Sequence, residues 1–232
     1  MRRYYLLLII GEYKVNKYNY TVASRVRNQV ELSGNQLAKR DRIIDAAVSV
    51  LLAHGVRSCT VRSIAMEAKT SKGIVHYYFS DVDEIIDAAM LKAVSLWIEL
   101  ISRDENLGNL DAQDGPVRNS KERFWRFISK SMEPFAHGDR TMMPLLLEYW
   151  AISTRRQRLD PLRKVQNGLV QFVSRLLASC DVDNSERIAL AVTSYLIGVN
   201  MLEIVERVSE SEILDSIALL TGLELPRQLE TT

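Results

Sequence analysis

The chain has 232 residues, 47% of them hydrophobic, enough to pack one domain or a small domain joined to a larger one. Its formal charge of +1 hides a polarity: up to Asp81 there are 13 Lys and Arg against 6 Asp and Glu, which leaves 17 against 23 in the rest. Composition excludes very little, sparse Gly and Pro favouring a helical chain, and a basic N-terminal portion on an acidic body points one end at a polyanion, nucleic acid ahead of an anionic membrane surface.

The opening "MRRYYLLLIIG" has two arginines before seven apolar or aromatic residues, but no small-x-small cleavage site follows and the run is far short of the ~20 residues of a membrane span. Residues 1–34 are expected to be a weakly ordered leader. From Asn35 the spacing is helical, and Ile43, Ile44, Ala47, Val48 and Leu51 form one apolar stripe before Gly55 ends the element. Thr60 can cap a second, shorter helix with Val61, Ile64, Ala65 and Ala68 on its inner side. After a tight turn comes "TSKGIVHYYFSD". No alternating strand-like run flanks an Asn-Gly or Asp-Gly turn, so the expected fold class is all-α.

Two short helices joined by a tight turn and braced by a longer one make a helix-turn-helix, whose second helix enters the major groove of DNA. At 100° per residue, Val75, Tyr78 and Phe79 fall on one side of the third helix and Gly73, His76 and Tyr77 on the other. Ile74 lies on the flank of the outward side, where a thymine methyl would give it a partner. Gly73 inside a helix costs ~1 kcal/mol relative to alanine, which close approach of the backbone to DNA explains.

Asp81 can cap a fourth helix with Glu84 at its third position, carried for about five turns by Ile85, Ile86, Ala89, Met90, Ala93, Leu96, Trp97, Leu100 and Ile101. A polar, Gly- and Pro-containing break, "DENLGNLDAQDGPVRN", precedes a fifth helix marked by Phe124, Phe127, Ile128 and Phe135. A sixth runs through "MMPLLLEYWAIS", a seventh from Asp160, an eighth from Ser185 and a ninth around Ile213 to Leu220. Ile188 to Leu202 carries no charge, more apolar surface than one core contact requires. The surplus is covered either within the monomer or by an intersubunit bundle, and the second predicts a homodimer through Ile188, Val192, Leu196, Val199 and Leu202, with Ile213 and Ile217 of the ninth helix.

The two cysteines, Cys59 and Cys180, have no partner at metal-ligand spacing and are expected to be buried thiols of a reducing cytoplasm. The three histidines are not spaced for a metal, and no phosphate loop or serine nucleophile motif is present, so neither a cofactor nor a metal nor an enzyme activity is expected.

Through "RIIDAAVSVLLAHGV", "TVRSIAMEA" and "SKGIVHYYFSDVDEI" the chain resembles the TetR family of bacterial transcriptional repressors. "GIVHYYFSDVDEIIDAAM" and "EYWAISTRR" are similar to its BetI-like subgroup, whose repressor responds to choline. The resemblance implies a three-helix DNA-binding domain over 35–81 and a larger helical ligand-binding and dimerisation domain over 82–232. It implies a repressor, with double-stranded operator DNA, a second copy and a small-molecule inducer as partners, and no membrane. By position, Arg62 matches a residue that reaches a base. Lys72, Gly73, Ile74, His76 and Tyr77 occupy the reading face, Thr60 and Tyr78 match phosphate contacts, and Ser71 is a further DNA-binding candidate.

Inducer contacts are expected among Trp97, Trp125, Phe127, Met143, Tyr149 and Trp150, with Glu148, Asn167 and Tyr195 as polar groups; at helical spacing the same aromatics also suit an ordinary core. The chain departs from the family pattern at Lys69-Thr70, where Gly-Val is usual, at His76, where Tyr is favoured, and at Val82, where Lys is. The competing reading is a membrane-associated or protein-binding helical adaptor.

Overall fold

The computed structural model describes residues 33–102, 117–136, 142–202 and 208–226. Residues 1–32 of the leader, most of the polar break and the side chain of Phe135 lie outside the described residues, while Ser33 and Gly34, counted with the leader, instead cap and begin the first helix. Those described form nine α-helices and one short 3₁₀ turn, with no strand among them. They are α1 (Gly34–His54), α2 (Val61–Glu67), α3 (Lys72–Tyr78), α4 (Val82–Ser102), α5 (Val117–Ala136), α6 (Met142–Arg155), α7 (Leu159–Ser179), α8 (Ser185–Leu202) and α9 (Glu210–Thr221). The 3₁₀ turn, Val56–Ser58, links α1 to α2.

The chain divides into two compact units, and the divide cuts two helices: unit one holds the chain up to Leu96 together with Leu145–Gln157, so α4 and α6 each change unit part-way. In unit one, α1 packs on α2 and α2 on α3. The apolar stripe of α1 is the reason: Ile43, Ala47, Val48 and Leu51 are each at most 2% exposed. Leu145, Leu146 and Tyr149 of α6 are buried as well.

Several polar contacts fix helix ends in this unit. The Glu84 backbone N–H donates to the Asp81 carboxylate at 2.7 Å, while the Glu84 carboxylate accepts from the Ser80 N–H at 2.9 Å. Together these caps satisfy donors at the start of α4 that would otherwise be unpaired. Arg40 of α1 spreads its guanidinium 4.6 Å from the centroid of the Phe79 ring and reaches the Glu84 carboxylate at 3.6 Å. One side chain therefore joins α1 to the end of α3 and the start of α4. Lys92 of α4 pairs with Asp45 of α1, and Arg156 with Asp83.

Unit two is a helical bundle in which α8 lies along α7, α9 packs on α8 and α5 packs on α7. Its core joins Phe124, Trp125 and Ile128 of α5 to Phe172, Val173, Leu176 and Leu177 of α7, and these to Val192 and Val199 of α8 and Ile213 and Ile217 of α9. The α7 members repeat at the three- and four-residue intervals that place them on one face. α7 ends through a left-handed residue, Asp181 at φ 59°, with the Val182 N–H donating to the Leu177 carbonyl at 3.2 Å.

Candidate nucleic-acid interface

α2, its following turn and α3 form the helix-turn-helix. Thr60 caps α2 reciprocally, its hydroxyl accepting the Ser63 N–H at 3.1 Å and its own N–H donating to the Ser63 hydroxyl at 2.9 Å. This places exposed Arg62 in the first turn. α2 then stops through a Schellman motif: the Thr70 N–H donates to the Ala65 carbonyl at 2.9 Å and the Lys69 N–H to the Met66 carbonyl at 3.2 Å. Lys69 takes the left-handed position at φ 51°, so the turn keeps its geometry with lysine where a glycine would be least strained.

Ser71 caps α3, its hydroxyl accepting the Ile74 N–H at 3.3 Å. On α3, Val75 is buried, as is Phe79, the extended residue that ends the helix; Tyr78 is half-buried, and Lys72, Gly73, Ile74, His76 and Tyr77 are all exposed. Ile74 is 43% exposed and Tyr77 65%. A Cβ built on Gly73 would meet only the Ser71 hydroxyl, at 3.8 Å. Packing within the chain therefore gives no reason for glycine there. The Tyr77 ring stands edge-on to Tyr78 with centroids 4.9 Å apart, and its hydroxyl accepts from the Gln36 side-chain amide at 3.2 Å. Lys39, Arg42, Arg57, Arg62, Lys69 and Lys72 add exposed cations to the same unit, and Val82, the first residue of α4, is half-buried.

The nine residues expected to meet an inducer fall in different surroundings. Trp125 is fully buried and its indole N–H donates to the Glu224 carbonyl at 2.9 Å, while Phe127 packs against Phe172 with centroids 4.9 Å apart. Met143 is buried, Trp97, Trp150 and Tyr195 are half-buried, and Asn167 is exposed on α7. Tyr149 is buried and donates its hydroxyl proton to the Asp87 carboxylate at 2.9 Å. The Glu148 carboxylate accepts the backbone N–H groups of Val56 at 2.8 Å and Arg57 at 3.3 Å.

Of the residues expected at a dimer contact, Val192, Val199, Ile213 and Ile217 lie in the interior of the single chain, Ile188 and Leu196 are partly buried against that core, and Leu202 is 62% exposed. The large apolar side chains left exposed on these two helices are Leu190, Met201 and Leu202 of α8 and Leu219 and Leu220 of α9. A Cβ on Gly198 would meet nothing within 4 Å. Gln36 and Arg40 are the residues near α3 that the sequence pattern passes over, because helical periodicity marks buried faces and carries no sign of a polar contact 41 residues away.

Comparison with known proteins agrees with this geometry. Residues 43–89 match the model of the bacterial regulatory proteins, tetR family. Over 65 residues the chain is 38% identical to the nicotine-responsive transcriptional repressor HdnoR of Paenarthrobacter nicotinovorans, a stretch covering 28% of this chain but only 34% of that relative. It is 29% identical over 150 residues to the transcriptional regulator BetI of Stenotrophomonas maltophilia (strain R551-3), covering 62% and 71% of the two chains. Among solved structures, the multidrug binding protein EbrR complexed with proflavin superposes with a TM-score of 0.58 at 25% identity, over 78% of this chain and 99% of that one. The segment 43–89, which holds the helix-turn-helix, is thus similar to the tetR family of bacterial regulatory proteins, and the helical architecture is shared with solved regulators over most of the chain's length.

Proposed function

We propose that this chain is a cytoplasmic transcriptional repressor that binds operator DNA as a homodimer through α3 and lets go when its helical body takes up a small molecule. The observation that carries the reading is the outward row Lys72, Gly73, Ile74, His76 and Tyr77, held by a capped α3 whose other side, Val75 and Phe79, is sealed into the unit. Such a row combines a cation for phosphate, polar groups for base edges and an apolar contact for a thymine methyl. Arg62, Thr60, Ser71 and Tyr78 flank it as further base and phosphate contacts.

Exposed Leu190, Met201, Leu219 and Leu220, and the open space at Gly198 of α8, support pairing of two copies through α8 and α9. A ligand-binding body is supported by the Thr193 hydroxyl, buried with no hydrogen-bond partner among the described residues. No helix among the described residues is long and apolar enough to cross a membrane. The test is selection of duplexes from a random library, followed by titration of the bound complex with nicotine and proflavin, the small molecules named for HdnoR and EbrR. Enrichment of a two-fold-symmetric sequence supports the reading. Failure to enrich any duplex contradicts it.

A further inference from the structure

Gln36 lies in the first turn of α1, outside the helix-turn-helix, yet it touches the most exposed aromatic ring of the reading helix. Its amide is oriented by its own neighbour. The Ser33 backbone N–H can only donate, so the Gln36 atom it meets at 2.8 Å is the carbonyl oxygen Oε1. The amide NH₂ is then the group left for Tyr77, and it donates to the phenol oxygen at 3.2 Å. A phenol has one proton of its own. With a donor on its inner side, Tyr77 has no acceptor for that proton among the described residues, and the hydroxyl is left to donate into solvent or to DNA. The edge-on contact with Tyr78 fixes the ring from which it does so.

We propose that Gln36 is a positioning residue for DNA recognition, holding the Tyr77 hydroxyl as a donor toward a hydrogen-bond acceptor on the duplex. The inference rests on the reading of the chain as a DNA-binding regulator. The acceptor chemistry is shared by a phosphate oxygen and by guanine N7 or O6 in the major groove. A hydroxyl free to turn would accept as readily as donate, and Gln36 removes that ambiguity.

The test is a double-mutant cycle of Gln36→Glu and Tyr77→Phe in the full chain, titrated against a duplex recovered by selection from random DNA. Glutamate retains an acceptor for the Ser33 N–H and suits the third position of a capping box, so the melting temperature is expected to hold. Its carboxylate accepts where the amide donated, turning the Tyr77 proton inward. Gln36→Glu should weaken binding by about tenfold more in the wild-type background than in Tyr77→Phe. Any repulsion between the new carboxylate and DNA acts in both backgrounds and cancels from the cycle. Methylphosphonate and 7-deazaguanine substitutions in the duplex then locate the acceptor, since the coupling disappears when its partner atom is removed. Equal losses in the two backgrounds overturn the role of Gln36 while leaving the regulator reading intact. A wild-type chain that binds no selected duplex overturns both.

Discussion

Glu148 of α6 holds the backbone of Val56, 92 residues earlier, through a hydrogen bond of 2.8 Å at the junction between α1 and α2. The neighbouring residue is Gly55 at φ 77°, and a Cβ there would come within 2.8 Å of the Glu148 carboxylate. Fold and carboxylate thus require glycine together. Glu148→Ala removes a charged acceptor and leaves the N–H of buried Val56 without its partner, which should destabilise unit one by about 2 kcal/mol. Gly55→Ala should be at least as damaging. Urea unfolding of both variants checks this; unchanged midpoints would show that the contact contributes nothing.

Lys69 occupies a left-handed position for which its side chain has no need. Lys69→Gly should stabilise the helix-turn-helix by about 1 kcal/mol, the strain relieved exceeding the added freedom of the unfolded chain. Thermal melting should shift upward by a few degrees.

Arg62 and Tyr78 are proposed to separate specificity from affinity. Arg62→Ala should lower affinity by about 1–3 kcal/mol and relax preference at one operator position. Tyr78→Phe should weaken all duplexes nearly equally. Titration against single-base operator variants distinguishes them, and a uniform loss for Arg62→Ala would remove it from base readout.

At the proposed dimer contact, Leu190→Glu changes an exposed position and Gly198→Arg a half-buried one with open space at its Cβ, and both should yield folded monomers with much weaker operator binding, since two half-sites would be engaged together. Val199→Glu instead places a charge in the interior of one chain and should unfold unit two. Light scattering with circular dichroism tells these outcomes apart; dimers of unchanged mass in both surface variants would exclude this face.

Burial pushes the Cys59 thiol up to about 12 from its ordinary 9.0, and Cys180 also upward, chiefly by burial. Both stay protonated at neutral pH, so thiol reagents should label neither in the folded chain and both after unfolding. Because the folded state favours the protonated thiols, their contribution to stability is complete below pH ~9 and falls as pH rises toward 12. Rapid labelling of the native chain at pH 8 would contradict this burial.

The all-helical fold was legible because each helix writes its buried face at three- and four-residue spacing and most helix starts carry a capping residue, as at Thr60, Ser71 and Asp81. The division of α3 between buried Val75 and exposed Lys72, His76 and Tyr77 follows from the same 100° step, whereas Phe79 is buried as the extended residue that ends the helix. What periodicity does not contain is which of two apolar faces a helix turns inward. Val192 and Val199 meet the core while Leu190 and Met201 remain outside, and all four are apolar letters in an uncharged run. The clamp of Glu148 on Val56 and the hold of Gln36 on Tyr77 were hidden for another reason, since each depends on a tertiary approach between distant segments.

The salt dependence of binding to the selected duplex, measured for the wild-type chain and for Lys72→Ala, tests the outward face of α3 most directly. Each phosphate contact contributes about 0.9 to the slope of log affinity against log salt, so the wild-type slope should be steep and the variant's shallower by about one per subunit. A wild-type slope near zero, or one that Lys72→Ala leaves unchanged together with its affinity, would contradict the placement of α3 on DNA.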